Sequence, residues 1–249
     1  MDITVCIKRV PDTETRIRID DDGASIDTSG VKFVMSPYDE FAVEAALRTR
    51  DDAGEGEVSV VTLGDEASGE TLRSALAMGA DRAVLLEGES TMDGLSVAKG
   101  LAAEAEVKAA DLVLLGVKAA DDDQQQVGPM LGTLLERPCA TAVASFEVES
   151  GQVVARREVE GGVEVVELDL PAVLTITKGA FEPRYASLKG IMAAKKKPLE
   201  TRSASGPESR LKVLKLEPPP ARPEGKIVGE GPEAAAELAR LLREEASVL

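Results

Sequence analysis

A chain of 249 residues with a formal net charge of -16 at pH 7 can bury one sizeable core. It offers no basic face for a nucleic-acid backbone, so no nucleic acid is expected as a partner. Histidine is absent, which removes the usual general base and the commonest metal ligand. Cys6 and Cys139 lie far apart with neither metal nor disulfide spacing.

The first apolar run, Ile3 to Ile7, is too short for a signal peptide or a membrane span, so a soluble protein of the reducing cytoplasm is expected, without membrane insertion. That run, extended to Lys8, is the first of five strand-like segments, with Val58–Leu63, Arg82–Leu86, Asp111–Gly116 and Ala172–Thr177. Their apolar residues are near-continuous rather than alternating, as strands covered on both faces require. Between the first two, Arg16–Ile19 and Ser25–Asp27 flank the acidic turn Asp20–Gly23 and predict a hairpin. Pro37 follows Ser36, with Asp39 where a capping box wants an acid, and this predicts a helix from Pro37 to about Arg50. Thr71, Leu72, Ala75 and Leu76 mark a second helix, stopped by Gly79, and Leu95, Ala98, Leu101, Ala102 and Ala105 mark a third. Strands alternating with helices in this way indicate an α/β domain with a parallel sheet. A further hairpin, Gln152–Val159 with Val163–Leu168, alternates apolar and charged residues and should keep one face wet. Residues 1–199 are expected to form the domain. Residues 200–249, rich in Ser, Pro, Gly and charge, are expected to form an arm. It ends in an amphipathic helix, Glu233–Leu249, that must dock on its own domain or on a partner.

Gly116 ends a buried strand, and the run VKAADDDQQQVGPMLGTLLE that follows occupies the place where open α/β sheets bind ligands. Backbone N–H groups of Gln125, Gln126 and Val127, opening a helix, could hold a phosphate, with Gly128 permitting close approach. Asp121, Asp122 and Asp123 would oppose that anion unless they turned to ribose hydroxyls, caps or amides. The run lacks the Walker lysine and is no P-loop. Two other readings compete: a solvated turn with an N-cap, and a divalent-metal site. Downstream, KGAFEPRYASLKGIMAAKKKP (178–198) holds a turn at Glu182-Pro183, an isolated Leu188, a short helical run Ile191–Ala194 and three lysines. No nucleophile or base sits there, and the segment looks built for display. Leu188 is read either as the anchor of a transient interface or as a hydrophobic staple on the short helix.

These stretches, with CIKRVPDT (6–13) and GADRAVLL (79–86), closely resemble the β subunit of electron-transfer flavoproteins from Val5 to at least Leu199. The resemblance implies a doubly wound, Rossmann-like α/β fold of the adenine-nucleotide-binding type, with a mainly parallel five-stranded central sheet, added hairpins and a C-terminal arm packed on an α subunit. It implies an electron carrier rather than a stand-alone catalyst. FAD would be shared with the α subunit, and electrons would pass from flavin dehydrogenases, such as the acyl-CoA dehydrogenases of fatty acid oxidation, to a quinone-linked oxidoreductase. By the same match, Cys6, Ser36, Pro37, Tyr38, Asp39 and Leu63 line an adenine nucleotide. It would be cradled by Gly116, Val117, Lys118, Ala119, Ala120, Asp121, Asp122, Asp123, Gln124, Gln125, Gln126 and Val127. The loop carrying Lys8 and Arg9 would reach toward the flavin, although both also read as ordinary strand-end charges. Leu188 matches the family's docking leucine, with Arg184, Tyr185, Lys195, Lys196 and Lys197 around it. AMP-holding members typically read Asn-Gln-Thr-Gly-Gln where this chain has Gln125-Gln126-Val127-Gly128-Pro129, so the site implies AMP or a second FAD, as in electron-bifurcating members. The rival reading from another class is a stand-alone ATP- and magnesium-binding stress or signalling module of similar fold. A carboxylate-based hydrolase using Asp121 or Asp123 would lack a paired general acid.

Overall fold

The computed structural model describes residues 1–88, 92–205, 209–221 and 224–249. In chain order, β1 (Ile3–Cys6) leads into an antiparallel pair, β2 (Arg9–Pro11) and β3 (Phe33–Met35), and then into α1 (Pro37–Ala53). Next come β4 (Val58–Gly64), α2 (Ser68–Met78), β5 (Arg82–Glu87), α3 (Gly94–Ala103), α4 (Ala105–Ala109), β6 (Leu112–Gly116) and α5 (Val127–Leu134). The hairpin strands β7 (Cys139–Glu149), β8 (Gln152–Val159) and β9 (Gly162–Asp169) precede β10 (Ala172–Ile176), α6 (Leu188–Ala194), β11 (Leu199–Ser203) and α7 (Ala234–Glu244).

One nine-stranded sheet runs in the order β11-β5-β4-β1-β6-β10-β7-β8-β9. The five expected strands are its parallel middle, β5-β4-β1-β6-β10. They read as continuous apolar runs because successive residues enter different cores. Ile3, Val5, Leu112 and Leu114 pack with Ala42, Val43 and Leu47 of α1 and Leu72 of α2, while Cys6, Val113 and Leu115 pack with Leu101 of α3, Val107 of α4 and Leu131 of α5. With helices over both faces, the sheet is doubly wound.

The sheet extends past these five on both sides. The β8–β9 hairpin forms as expected but joins the main sheet through β7, to which β8 pairs antiparallel. On the other side β11 pairs in parallel with β5, so the sheet continues beyond residue 199 into what composition assigned to the arm. The arm includes residues 206–208 and 222–223, which lie outside the described residues.

Two expected elements differ. The hairpin around Asp20–Gly23 is reduced to a single bridge, Ile19 with Ile26. There the Asp22 carboxylate accepts the N–H groups of Ala24 and Ser25, and Asp27 accepts that of Ser29, so side chains take donors a ladder would need. The helix expected through Ala105 breaks at Glu104, whose backbone is extended (φ -70°, ψ 137°) and whose buried carboxylate pairs with Arg202 of β11.

Candidate functional site

Winding from β1 proceeds through β4 to β5, and the chain then returns to place β6 on the other side of β1, so the strand order reverses between β1 and β6. Cys6, at the carboxyl end of β1, stands between Val61 of β4 and Leu115 near the carboxyl end of β6, and β4 runs on to Gly64. This is the crevice where doubly wound sheets receive ligands.

Asp39, in the first turn of α1, closes the floor of that crevice. Its Oδ2 accepts the Lys8 N–H at 2.7 Å and its Oδ1 accepts the Gly116 N–H at 2.9 Å. The acid therefore latches the two strand ends instead of completing a capping box, and Ser36 makes no side-chain cap; its hydroxyl donates to the Lys118 carbonyl at 3.5 Å. Burial pushes the Asp39 carboxyl up to about 7, against the two backbone N–H groups that favour its ionised form. Gly116 is required here, since a Cβ would lie 2.5 Å from Asp39 Oδ1. The buried Cys6 thiol is pushed above its ordinary range, first by burial and then by Asp39, and stays protonated.

The aspartate run is neutralised by lysines. Lys8 Nζ bonds Asp121 Oδ1 and Asp122 Oδ2, both at 2.8 Å, and Lys118 Nζ pairs with Asp123 Oδ1 at 2.7 Å. Burial alone would lower the Lys8 ammonium, and its two aspartate partners more than reverse that. The carboxylates thus turn away to Lys8 and Lys118. Among the described residues no group of three or more Asp, Glu, Cys or His is placed to hold a metal ion. Left-handed backbone at Asp123 (φ 54°) and Gln125 (φ 56°) bends the chain sharply just before α5. Among the described residues, no side-chain or loop acceptor takes the N–H groups of Gln125, Gln126 or Val127. These donors open α5 toward a cleft of about 170 Å³.

That cleft is lined by Cys6, Lys8, Asp39, Leu63, the backbone from Gly116 to Ala119, Asp122 and Gln124 to Gly128. Ser36, Pro37, Tyr38, Ala120, Asp121 and Asp123 stand behind the lining: Ser36 is buried, Pro37 faces a different groove, and Asp121 acts through Lys8. Gly128 has a second reason to be a glycine. A Cβ there would lie 2.1 Å from Thr175 Cγ2, so the glycine admits the sheet against α5. Met92, Gly94 and Val97, at the start of α3, form a wall that sequence reasoning missed; α3 follows β5, which belongs to the same row of strand ends.

In the display segment Tyr185 is fully exposed and Leu188, the first residue of α6, is 84% exposed. A staple would be buried, so that reading of Leu188 fails. Ser187 caps α6 by accepting the Gly190 N–H at 3.0 Å. Lys195 and Lys196 are exposed. Two residues expected to meet a partner also make hydrogen bonds within this chain. Lys197 Nζ donates to the carbonyls of Leu76 (3.2 Å) and Ala80 (2.5 Å) at the end of α2, and Arg184 Nε donates to the buried Glu44 at 2.7 Å.

Fold and crevice define the class: a doubly wound α/β protein with helix-start donors at the reversal of its strand order. The family description "Electron transfer flavoprotein domain" matches residues 24–207. The chain is 42% identical over 253 residues to an electron transfer flavoprotein subunit beta of Bradyrhizobium diazoefficiens, with both chains covered in full. It is 39% identical to the subunit of the same name in Bacillus subtilis, again with full coverage of both, and 39% identical to that of Bos taurus over 96% of this chain and 97% of the other. The chain belongs to the electron transfer flavoprotein family, within its beta subunits. Among the described residues no helix is long and apolar enough to cross a membrane.

Proposed function

We propose that this chain is the β subunit of a heterodimeric electron carrier, with FAD shared with an α subunit and an adenine nucleotide in the β1–β6 crevice. The N–H groups of Gln125, Gln126 and Val127, which find no acceptor among the described residues and belong to residues that line the crevice at a helix start, carry this reading. FAD, when bound, supplies the redox chemistry. The chain's own residues bind and orient. The α5 donors receive a phosphate, Lys8 and Lys118 offset the aspartates beside it, and Leu63, Val97 and Leu101 exclude water from one wall. Asp121, Asp122 and Asp123 are paired with Lys8 and Lys118, so among the described residues the crevice offers a magnesium nucleotide no unpaired aspartate cluster, which argues against the stand-alone module.

Residues 1–199, completed by β11, serve as the nucleotide domain, and the remainder serves as an arm on the α subunit. Support comes from apolar side chains the arm leaves in solvent: Leu214 is 84% exposed and Ile227 is 85% exposed. The two free cysteines support a cytoplasmic location. The crevice ligand is AMP or the ADP half of a second FAD, since both present the same adenine, ribose and α-phosphate. Denaturing the purified heterodimer and quantifying what it releases tests the reading. One FAD with one AMP gives a simple carrier, and two FAD give a bifurcating one. No adenine nucleotide beyond a single FAD would overturn the site.

In the same reading, Leu188 docks flavin dehydrogenases, among them acyl-CoA dehydrogenases, and the reduced carrier is discharged by a quinone-linked oxidoreductase. Leu188→Ala is expected to weaken docking by about 2 kcal/mol, roughly thirtyfold in the carrier's apparent affinity, with fold and bound flavin intact. Steady-state reduction by a dehydrogenase, with the carrier as varied substrate, reads this directly. An unchanged KM removes Leu188 from the interface.

A further inference from the structure

The display segment runs over a groove of about 1430 Å³ between α1 and α2, so little packs beneath its centre. Its two ends are well fixed. Upstream, Phe181 packs on Phe146 with ring centroids 5.1 Å apart, and the Ala180 N–H donates to the Ala144 carbonyl at 3.0 Å. Downstream, α6 lies so close to α2 that a Cβ on Gly190 would sit 2.4 Å from the Ala77 carbonyl oxygen, and Arg73 binds the carbonyls of Ala194 and Lys197 at 2.5 and 2.8 Å. Between these anchors, residues 182–187 have no regular secondary structure, yet they carry Tyr185 and lead into Leu188.

What holds this middle stretch is one buried carboxylate. Glu44 of α1 has a side chain only 3% exposed. Its Oε2 accepts both the backbone N–H (3.3 Å) and Nε (2.7 Å) of Arg184, and its Oε1 accepts Nη2 of Arg184 at 3.2 Å and Nε of Arg48 at 2.6 Å. Arg48 in turn donates to the carbonyls of Ala180 and Glu182, each at 3.1 Å. The carboxylate thus orients two guanidinium groups, one from the helix and one from the segment, and through them fixes segment backbone at residues 180, 182 and 184. Burial works against its ionisation, but the hydrogen bonds from Arg184 and Arg48 outweigh that, hold its pKa below the ordinary glutamate value and favour the charged form.

We propose that Glu44 is a positioning residue for docking: from within α1 it holds residues 180–184 in place and so presents Tyr185 and Leu188 in the orientation a partner meets. This rests on the docking role proposed above for Leu188. An exposed anchor on a loosely held loop loses affinity to the cost of ordering the loop on contact, and pre-ordering removes that cost. Glu44 touches neither the partner nor the crevice, so its effect belongs to presentation alone.

The test uses the heterodimer carrying Glu44→Gln, which keeps the shape and loses the charge. Arg184→Gln breaks the same contact from the segment side and leaves Glu44 paired with Arg48, so it carries the test if the first variant fails to fold. Hydrogen exchange in the heterodimer is expected to quicken about tenfold at the amide of residue 184, whose N–H Glu44 accepts, in either variant, with the sheet unchanged, as release of local structure predicts. With a purified acyl-CoA dehydrogenase as donor, KM for the carrier should rise about tenfold while kcat stays within twofold, because the lost term is ordering on contact. Unchanged exchange in both variants overturns the clamp. Quickened exchange with unchanged KM, where Leu188→Ala does raise KM, overturns the positioning role while the docking reading stands. If Leu188→Ala also leaves KM unchanged, the docking reading falls and takes this inference with it.

Discussion

Replacing Asp39 by alanine is expected to destabilise the protein by about 3 kcal/mol at pH 5, because the buried N–H groups of Lys8 and Gly116 both lose their acceptor. The two strand ends it joins flank the crevice, so the nucleotide proposed to bind there should be lost with stability. The deficit should also depend on pH in a defined direction. Asp39 titrates near 7 in the folded chain against an ordinary value of 3.8. Below 3.8 both folded and unfolded chains hold the proton; between 3.8 and about 7 only the folded chain holds it. Stability from this group is therefore full at low pH and falls as pH rises toward 7. Urea unfolding of the two proteins across this window is the measurement, and the gap between them should narrow as pH rises. A constant gap would show that the carboxyl titrates normally.

Gly128→Ala is expected to cost about 3 kcal/mol, in the upper part of the range for overpacking a close contact. The added Cβ would lie 2.1 Å from Thr175 Cγ2, and Thr175 cannot swing aside freely because its Oγ1 accepts the Ala142 N–H at 3.0 Å. The strain lifts α5 from the sheet, which carries the N–H groups of Gln125 to Val127 out of register with the crevice. Thr175→Ser removes the obstructing methyl and keeps the acceptor. The pair Gly128→Ala with Thr175→Ser should therefore recover most of the loss. Thermal unfolding of the wild type, both single variants and the pair gives the coupling, and additive losses would refute the steric account.

How much of this was legible depends on how many faces of an element are covered. The five parallel strands announce themselves because both faces are buried and the pattern leaves no polar positions. In β7 only residues such as Ala140, Val143 and Phe146 are buried, and the register shifts between Val143 and Ser145, so no period survives to be read. In β11, Leu199-Glu200-Thr201-Arg202-Ser203 is an edge strand whose charges look like a linker; its role is set by pairing with β5, a partner more than a hundred residues away. The crevice was legible from strand position at Gly116, while Cys6 and Asp39 entered it through the family resemblance. Its α3 wall was not, since Met92 and Gly94 join it only through the strand order. Nor does sequence say where a cation's hydrogen bonds go. Lys197 reads the same as Lys195 and Lys196, yet it alone is turned inward onto the carbonyls of α2.

The strand order also bears on what lengths the display segment can have. It leaves the sheet at β10 and returns at β11, five strand spacings away, about 24 Å at the usual interval. Exposed loops ordinarily absorb insertions and deletions, since neither end is particular about where it lands. Here the returning end is a strand in register with β5, Leu199 opposite Ala83 and Arg202 opposite Leu86, and Arg202 must also reach Glu104. Adding or removing one residue between α6 and β11 would either pull α6 off α2 or slide β11 by one position, which turns Arg202 to the opposite face. The display segment is thus a strap held at its returning end by strand register and helix packing.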